Sequence, residues 1–342
     1  MRLTRRGFTT LLLAAAAAPE LPARAAAAVK VPTRGFSLPD WLAATPRTPS
    51  PATLAALRAA GFETIRLPLD PALVTDSFVD SVRDVLGTVT DHGFNAILDL
   101  HPGPDFSPPL AETAWTLLAP MLAGTSPDSV YAELLNEPPL SPADWHPLRD
   151  RLAATIRAAA PHHTLIWGPA RVQGFWELAD TTPLADKNAI VAVHYYTPMG
   201  FTHQCENWDD TPLARIRNLP YPTTRQSPAV VALADTLSSP DRAFLDGEFD
   251  GPWTTAHIAN DFAQAAAWAR RHNAPMMLGE FGVLDFCVDP LSRGNWVRAV
   301  RAAAESNGLG WSYWEADQGF GFIPDRNSLE NFDQSMLAAL LA

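Results

Sequence analysis

Three short runs in the 342-residue sequence end apolar stretches with groups that can move protons or attack carbon: Glu133-Leu134-Leu135-Asn136-Glu137-Pro138, Val193-His194-Tyr195-Tyr196 and Leu278-Gly279-Glu280-Phe281-Gly282. Two carboxyl groups flanking a sugar-sized cleft can hydrolyse an acetal, one giving a proton to the leaving oxygen while the other attacks carbon or activates water. Glu137 and Glu280 are the candidates for these roles. An Arg and a Tyr beside one carboxylate would keep it ionised as nucleophile, and an apolar surround would raise the pKa of the other so that it stays an acid near neutrality. Similar polar tips close other runs: Ile65-Arg66-Leu67-Pro68, Leu98-Asp99-Leu100-His101 and Trp311-Ser312-Tyr313-Trp314. His101 and His194 read either as site residues or as hydrogen-bonded core histidines. Alternation of side chains along a strand selects Tyr196 over Tyr195 and Trp314 over Trp311 as inward rings, and puts Glu133 inside, below Glu137, as a structural hydrogen-bonding residue. Asp70 and Asp105, near the same mouth, either touch substrate or cap loops.

Positioning these groups requires a frame. Past Lys30 the chain alternates short β-branched runs with helix-period segments, the pattern of a parallel sheet with crossover helices. Strands are predicted over 34–37, 63–69, 96–101, 130–136, 164–168, 190–196, 276–281 and 310–314. Helices are predicted over 51–60, 78–92, 111–122, 142–159, 256–272, 293–305 and 329–341, with a weak fifth crossover of two turns over 172–178. Eight such units close as a single (β/α)8 TIM barrel, whose chemistry collects where the strands run out. The stretch 197–254, between strand six and its helix, is far longer than an ordinary connection. Carrying Phe201, His203, Trp208, Tyr221, Glu248, Phe249 and Trp253, it reads as a wall of the binding cleft with a short helix over 230–237, or as a plain surface insertion.

Composition narrows the partners. The formal net charge is −12 and charged residues make up 18% of the chain, so a nucleic-acid backbone or an anionic membrane surface is a poor partner and a neutral ligand a better one. Eleven Trp and sixteen Phe supply rigid faces for apolar CH surfaces, although Trp41, Trp115, Trp167, Trp176, Trp208 and Trp253 taken singly read as packing before they read as sugar platforms. No HExxH, CxxC, Walker loop or strand-following GxGxxG occurs and His162-His163 adjoin in a turn, so neither metal nor organic cofactor is expected. Residues 1–28 combine Arg2, Arg5 and Arg6, an apolar run over 11–18 too short to span a bilayer, and small residues around Ala23 and Ala25. Thr4-Arg5-Arg6-Gly7-Phe8 resembles the twin-arginine export motif, which predicts a folded, exported barrel over 29–342, periplasmic or secreted, free of the membrane and monomeric. Cys205 and Cys287 are bridged or are merely packed thiols.

Asn136-Glu137-Pro138, Gly279-Glu280-Phe281-Gly282 and the intervening His194-Tyr195-Tyr196 together resemble family five glycoside hydrolases, over about 34–317. The resemblance implies a site made of Arg66, His101, Asn136, Glu137, His194, Tyr196, Glu280 and Trp314. It implies retaining double displacement, with Glu280 as nucleophile and Glu137 as acid/base. Asn136 would bind the sugar 2-hydroxyl, Arg66 and Tyr196 would orient Glu280, and Trp314 would floor the cleavage subsite. Phe201-Thr202-His203-Gln204, Trp208 and Leu219-Pro220-Tyr221-Pro222 resemble a bacterial endoglucanase-like branch that usually has Gly where this chain has Cys205. That departure suggests a disulfide to Cys287 tying two cleft loops. The implied activity is endo-hydrolysis of β-1,4-glucan. Alternatives are β-mannan or mixed-linkage β-glucan, transglycosylation, or a non-catalytic sugar-binding barrel.

Overall fold

Short β-branched runs and capped amphipathic segments pack as eight parallel strands inside a ring of helices in the computed structural model, which describes residues 29–342. The export segment expected over 1–28 lies outside the described residues. The strands are β1 Gly35–Ser37, β2 Thr64–Leu69, β3 Asn95–Leu100, β4 Val130–Glu133, β5 Leu165–Trp167, β6 Ala189–His194, β7 Met276–Glu280 and β8 Gly310–Tyr313. Each pairs with its sequence neighbour and β8 closes on β1, so the expected (β/α)8 barrel forms.

The helices start where the sequence offers caps. α1 (Pro51–Ala60) begins with Ser50 accepting the Thr53 N–H and ends at Gly61 in a left-handed conformation, φ 115°. The crossover helices α2 (Asp76–Asp91), α3 (Pro108–Leu122) and α4 (Pro142–Ala159) follow. The long stretch after β6 folds as α5 (Met199–Thr202), α6 (Pro228–Ala234) and α7 (Ser239–Gly247) before α8 (Thr255–His272). α9 (Pro290–Ser306) and α10 (Gln334–Leu341) complete the ring.

Strand alternation sorts the interior. Outward side chains such as Leu67, Leu98, Ala132, Val191 and Leu278 are buried against the helices. Ile97, Tyr131, Ile166, Ile190, Ala192 and Met277 make a separate apolar cluster, with Val29 and Val31 packed against it. One step further along the inward rows of β2, β3 and β4 come Arg66, Asp99 and Glu133, all buried. The barrel thus has an apolar base and an ionic upper layer.

Several sequence expectations need correction. β4 ends at Glu133 rather than at Asn136, although the Leu134 and Asn136 N–H groups still donate to Ile166 and Leu100. Glu137 then takes a left-handed φ of 36°, so a turn and not strand alternation aims its side chain. The fifth crossover is only a 3-10 helix, Phe175–Asp180. The last helix begins at Gln334, five residues beyond its expected start at 329, because Asp333 caps it by accepting from Ser335 and Met336. In the β6–α8 stretch the expected short helix is Pro228–Ala234, and α7 went unrecognised. That stretch has its own packing. Phe201, Tyr221, Phe249 and Trp253 are buried within it, the last two stacked 4.0 Å apart, instead of facing the cleft. Arg215 clamps it by pairing with Asp241, and the Gln204 side chain bonds Phe201 and Leu219. The disulfide Cys205–Cys287 spans 82 residues of sequence and joins it to the loop after β7. Cys205 has φ 61°, the left-handed geometry that glycine adopts readily, so the cysteine keeps a glycine-like turn while adding a crosslink.

Candidate active site

Arg66 organises the upper layer from the middle of β2. Wholly buried, it donates to Glu133 Oε2 at 2.7 Å through Nε, and through Nη2 to Glu133 Oε1 at 3.1 Å and Asn136 Oδ1 at 2.8 Å. Nη2 also lies 2.9 Å from Asp99 Oδ2, and Nη1 donates to Glu280 Oε1 at 2.5 Å. One guanidinium therefore serves three buried carboxylates, a planar fork that a lysine could not reproduce.

Glu280 arrives through an irregularity in β7. Val193 pairs with Leu278 but His194 pairs with Glu280, leaving Gly279 as an extra residue. A Cβ at Gly279 would stand 3.0 Å from His194 Nε2, so the glycine makes room for the imidazole. Glu280 Oε2 accepts the Tyr196 O–H at 2.9 Å. Burial alone would raise this carboxyl's pKa, but His194, Arg66 and His101 together with the Tyr196 hydrogen bond outweigh it and hold Glu280 below the ordinary glutamate range. Glu133, buried between Arg66 and Asp99, is pushed up instead by its burial.

Glu137 faces Glu280 from the turn after β4, its side chain 32% exposed against 6% for Glu280. Its Oε1 is 2.8 Å from His194 Nδ1, and that nitrogen lies 3.6 Å from Glu280 Oε2. An oxygen of each carboxylate and a His194 ring nitrogen all fall within 4.8 Å of one another. The apolar surround expected for the proton donor is replaced by this histidine and an open face. Burial lowers the pKa of His194, but Glu280 and the bond to Glu137 overcome it and raise the value. His101 rises in the same way against burial, its Nδ1 2.9 Å from Asp99 Oδ2. The trio could in principle ligate a metal ion. Glu280 already receives Arg66 and Tyr196, however, and the guanidinium charge beside it works against a dication.

Trp314 sits face to face with His101, ring centroids 5.4 Å apart, and lines the cleft with Asn136, Glu137, His194, Tyr196 and Glu280 around a cavity of about 520 Å³. Trp311 is buried and donates to Glu305, and Tyr195 is buried with its O–H donated to Asp261. The inward choices of Tyr196 and Trp314 therefore match the structure. Trp208, 52% exposed, lines the same cavity with His203. Trp176, 60% exposed, does so too, whereas Trp41, Trp115, Trp167 and Trp253 are core. Asp70 caps a 3-10 turn by accepting the Ala72 N–H, and Asp105 is exposed.

Two residues escaped the sequence reading. Gln173, fully buried with φ 51°, accepts the Glu137 backbone N–H through its side chain, while its carbonyl accepts the His194 N–H. One residue thus fixes the backbone of both Glu137 and its histidine partner. It lies in the stretch 172–178 read as the weak fifth crossover, and only its burial in the folded chain distinguishes it. Glu315, next to Trp314, is buried and accepts the N–H groups of Asp317, Gln318 and Phe320 at 3.0, 2.9 and 3.3 Å, with burial pushing its carboxyl up to about 7. It ties down the loop that carries Trp314.

The model of the Cellulase family (glycosyl hydrolase family 5) matches residues 25–319. Endoglucanase 3 of Fibrobacter succinogenes is 26% identical over 313 residues, covering 81% of this chain and 47% of that protein. Endoglucanase H of Acetivibrio thermocellus is 24% identical over 306 residues, 83% of this chain and 29% of that protein. The chain therefore spans less than half the length of either relative. Among solved structures, the cellulose synthase subunit Z of Clostridioides difficile superposes with a TM-score of 0.73 at 23% identity, covering 91% of this chain and 99% of that one, a likeness of fold.

Proposed function

Because the chain belongs to glycosyl hydrolase family 5, we propose that it is a retaining endo-acting hydrolase of β-1,4-linked glucan. The observation that carries the reading is the pair Glu137 and Glu280, oxygens within 4.8 Å of each other across an open cleft. That approach suits direct attack on the anomeric carbon, as in retaining sites with carboxyl groups about 5–5.5 Å apart, better than the roughly 6.5–9.5 Å of inverting sites.

In the first step an ionised Glu280 oxygen bonds to the anomeric carbon as the glycosidic C–O bond breaks, and Glu137 gives its proton to the departing oxygen. In the second, Glu137 takes a proton from water, the resulting hydroxyl attacks the same carbon and the bond to Glu280 breaks. Arg66 and Tyr196 hold Glu280 ionised and aligned. Asn136, fixed by Arg66, is available to a hydroxyl beside the reacting carbon. Endo action is supported by space on either side of Glu137: the cavity edged by Trp176 and Trp208, and another edged by Phe106 and Leu140.

The test is Glu280→Gln. Wild-type protein is expected to release reducing sugar from soluble β-1,4-glucan, and the variant to lose that release while still binding cello-oligosaccharides. A variant that keeps turnover removes the nucleophile assignment, and a wild-type protein that binds without cleaving returns the non-catalytic alternative. Product profiles on β-mannan, mixed-linkage and β-1,4-glucan oligosaccharides decide the substrate. Free sugar acceptors added to the same assay reveal transglycosylation.

We also place the protein outside the cytoplasm as a monomer. The basic start and apolar run of residues 1–28 support export. Among the described residues no helix is long and apolar enough to cross a membrane. Periplasmic or culture-medium recovery that fails when Arg5-Arg6 is replaced by Lys-Lys tests the route, and light scattering tests the monomer.

A further inference from the structure

The fifth crossover leaves a gap in the helical ring. Where a barrel normally lays a full helix, this chain has only the 3-10 turn Phe175–Asp180, so the flank between that turn and α8 is open. The opening is a groove of about 490 Å³, within the range of pockets that hold small organic ligands. Its inner side is aromatic: Phe175 and Tyr195 lie 5.0 Å apart, and Tyr195 donates to Asp261 at 2.7 Å. Along α8 the wall adds Gln264, Trp268 and Arg271 to Asp261. His257, 3.8 Å from Asp261, and Asp250 complete the polar side toward the barrel rim.

Trp176 and Thr197 line both this groove and the catalytic cavity. Trp176 is the ridge between them, 60% exposed, with its indole N–H donated to Glu177 at 3.1 Å and its ring packed over Gly174, where a Cβ would collide. An exposed indole held this way presents a flat apolar face at no further cost in side-chain freedom. Carboxylates, an amide, an imidazole and a guanidinium of mixed sign beside such a face suit an uncharged polyhydroxylated chain better than an anion or an apolar helix.

We infer that this groove is a second glycan-binding region, engaging the stretch of the β-linked chain that leaves the catalytic cleft over Trp176. The inference rests on the glycosidase reading and adds to it a binding surface on the barrel flank, remote from the reacting carboxylates. It makes affinity depend on chain length: a short oligosaccharide fills only the cleft, and a long one also reaches the groove.

The experiment fills the groove from its α8 wall. Ala267 lines it and belongs to no catalytic contact, so Ala267→Trp blocks it, while Gln264→Ala removes one polar partner with little disturbance. Calorimetric titration of the Glu280→Gln protein with cellotriose and with cellohexaose, with and without each change, separates the outcomes. The expected result is unchanged cellotriose affinity and a cellohexaose affinity about three- to tenfold weaker in Ala267→Trp, with a smaller loss in Gln264→Ala. KM of the otherwise wild-type enzyme on soluble β-glucan polymer should rise in parallel with kcat unchanged. Equal affinities for cellohexaose with the groove open and filled, in variants whose thermal midpoints match the parent, overturn the inference and leave the glycosidase reading intact. Failure of the parent to bind or cleave any glucan overturns both.

Discussion

Replacing Tyr196 by Phe removes one hydroxyl and keeps the ring that packs near His203 and Phe320. The hydroxyl donates to Glu280 Oε2 at 2.9 Å inside a buried site, and a hydrogen bond to a charged group contributes about 1.5–3 kcal/mol. At about 1.4 kcal/mol per pKa unit, its loss should raise the Glu280 pKa by roughly one to two units. Arg66, His194 and His101 remain to hold it down. In the proposed mechanism attack requires the ionised carboxylate, so the acidic limb of kcat/KM should move toward neutral pH by that amount. The assay is initial-rate hydrolysis of a soluble β-1,4-glucan between about pH 3 and 9, with kcat/KM fitted at each pH. Stability carries the same sign. A carboxyl whose folded pKa is depressed stabilises the fold above its unfolded value, near about 4.3, and that contribution is lost as pH falls through the folded value. The variant should therefore melt below wild type at neutral pH and converge with it in acid. A folded Y196F protein whose acidic limb stays in place, or moves to lower pH, would refute the electrostatic account of the nucleophile.

Gln173→Leu leaves the Glu137 N–H without its acceptor, an unpaired group costing about 1–3 kcal/mol, so kcat should fall about tenfold or more with KM little changed; a rise in KM alone would contradict its positioning role. Gly279→Ala sets a Cβ 3.0 Å from His194 Nε2, and crowding of about 1–3 kcal/mol should displace the imidazole and cost about ten- to a hundredfold in kcat/KM, measured beside circular dichroism showing an intact barrel. Activity equal to wild type there would mean that the ring has room to move. Cys205→Ser releases a crosslink spanning 82 residues, for which chain entropy gives up to about 4.5 kcal/mol, so its melting temperature should drop to that of reduced wild type; equal midpoints with and without reductant sink this prediction. His101 and His194 have raised folded pKa values, so they add stability that is full below about pH 6.5 and lost as pH rises through the raised values. Thermal scans should show that alkaline slope in wild type and a shallower one in His194→Asn.

The sequence by itself determined the barrel and the membership of its rim. Alternating β-branched runs and capped helical segments mark eight strand-helix units whose apolar faces a closed ring buries, and a polar residue at or near the end of an apolar strand is carried to the upper part of that ring. Arg66, His101, Asn136, His194, Tyr196 and Glu280 were legible for that reason. What only the tertiary structure decided lies where local periodicity stops. Glu137 is aimed by a positive-φ turn and by the buried amide of Gln173, from a different loop; the extra residue Gly279 brings Glu280 level with His194. The aromatic residues of the β6–α8 stretch pack on one another because that segment is large enough to build a small core of its own, leaving His203 and Trp208 to face the cleft. The ionisation states followed the same division: which carboxylate stays charged depends on how many of the surrounding donors and cations outweigh its burial, and those neighbours converge from β2, β3 and β6 and the residues that follow them.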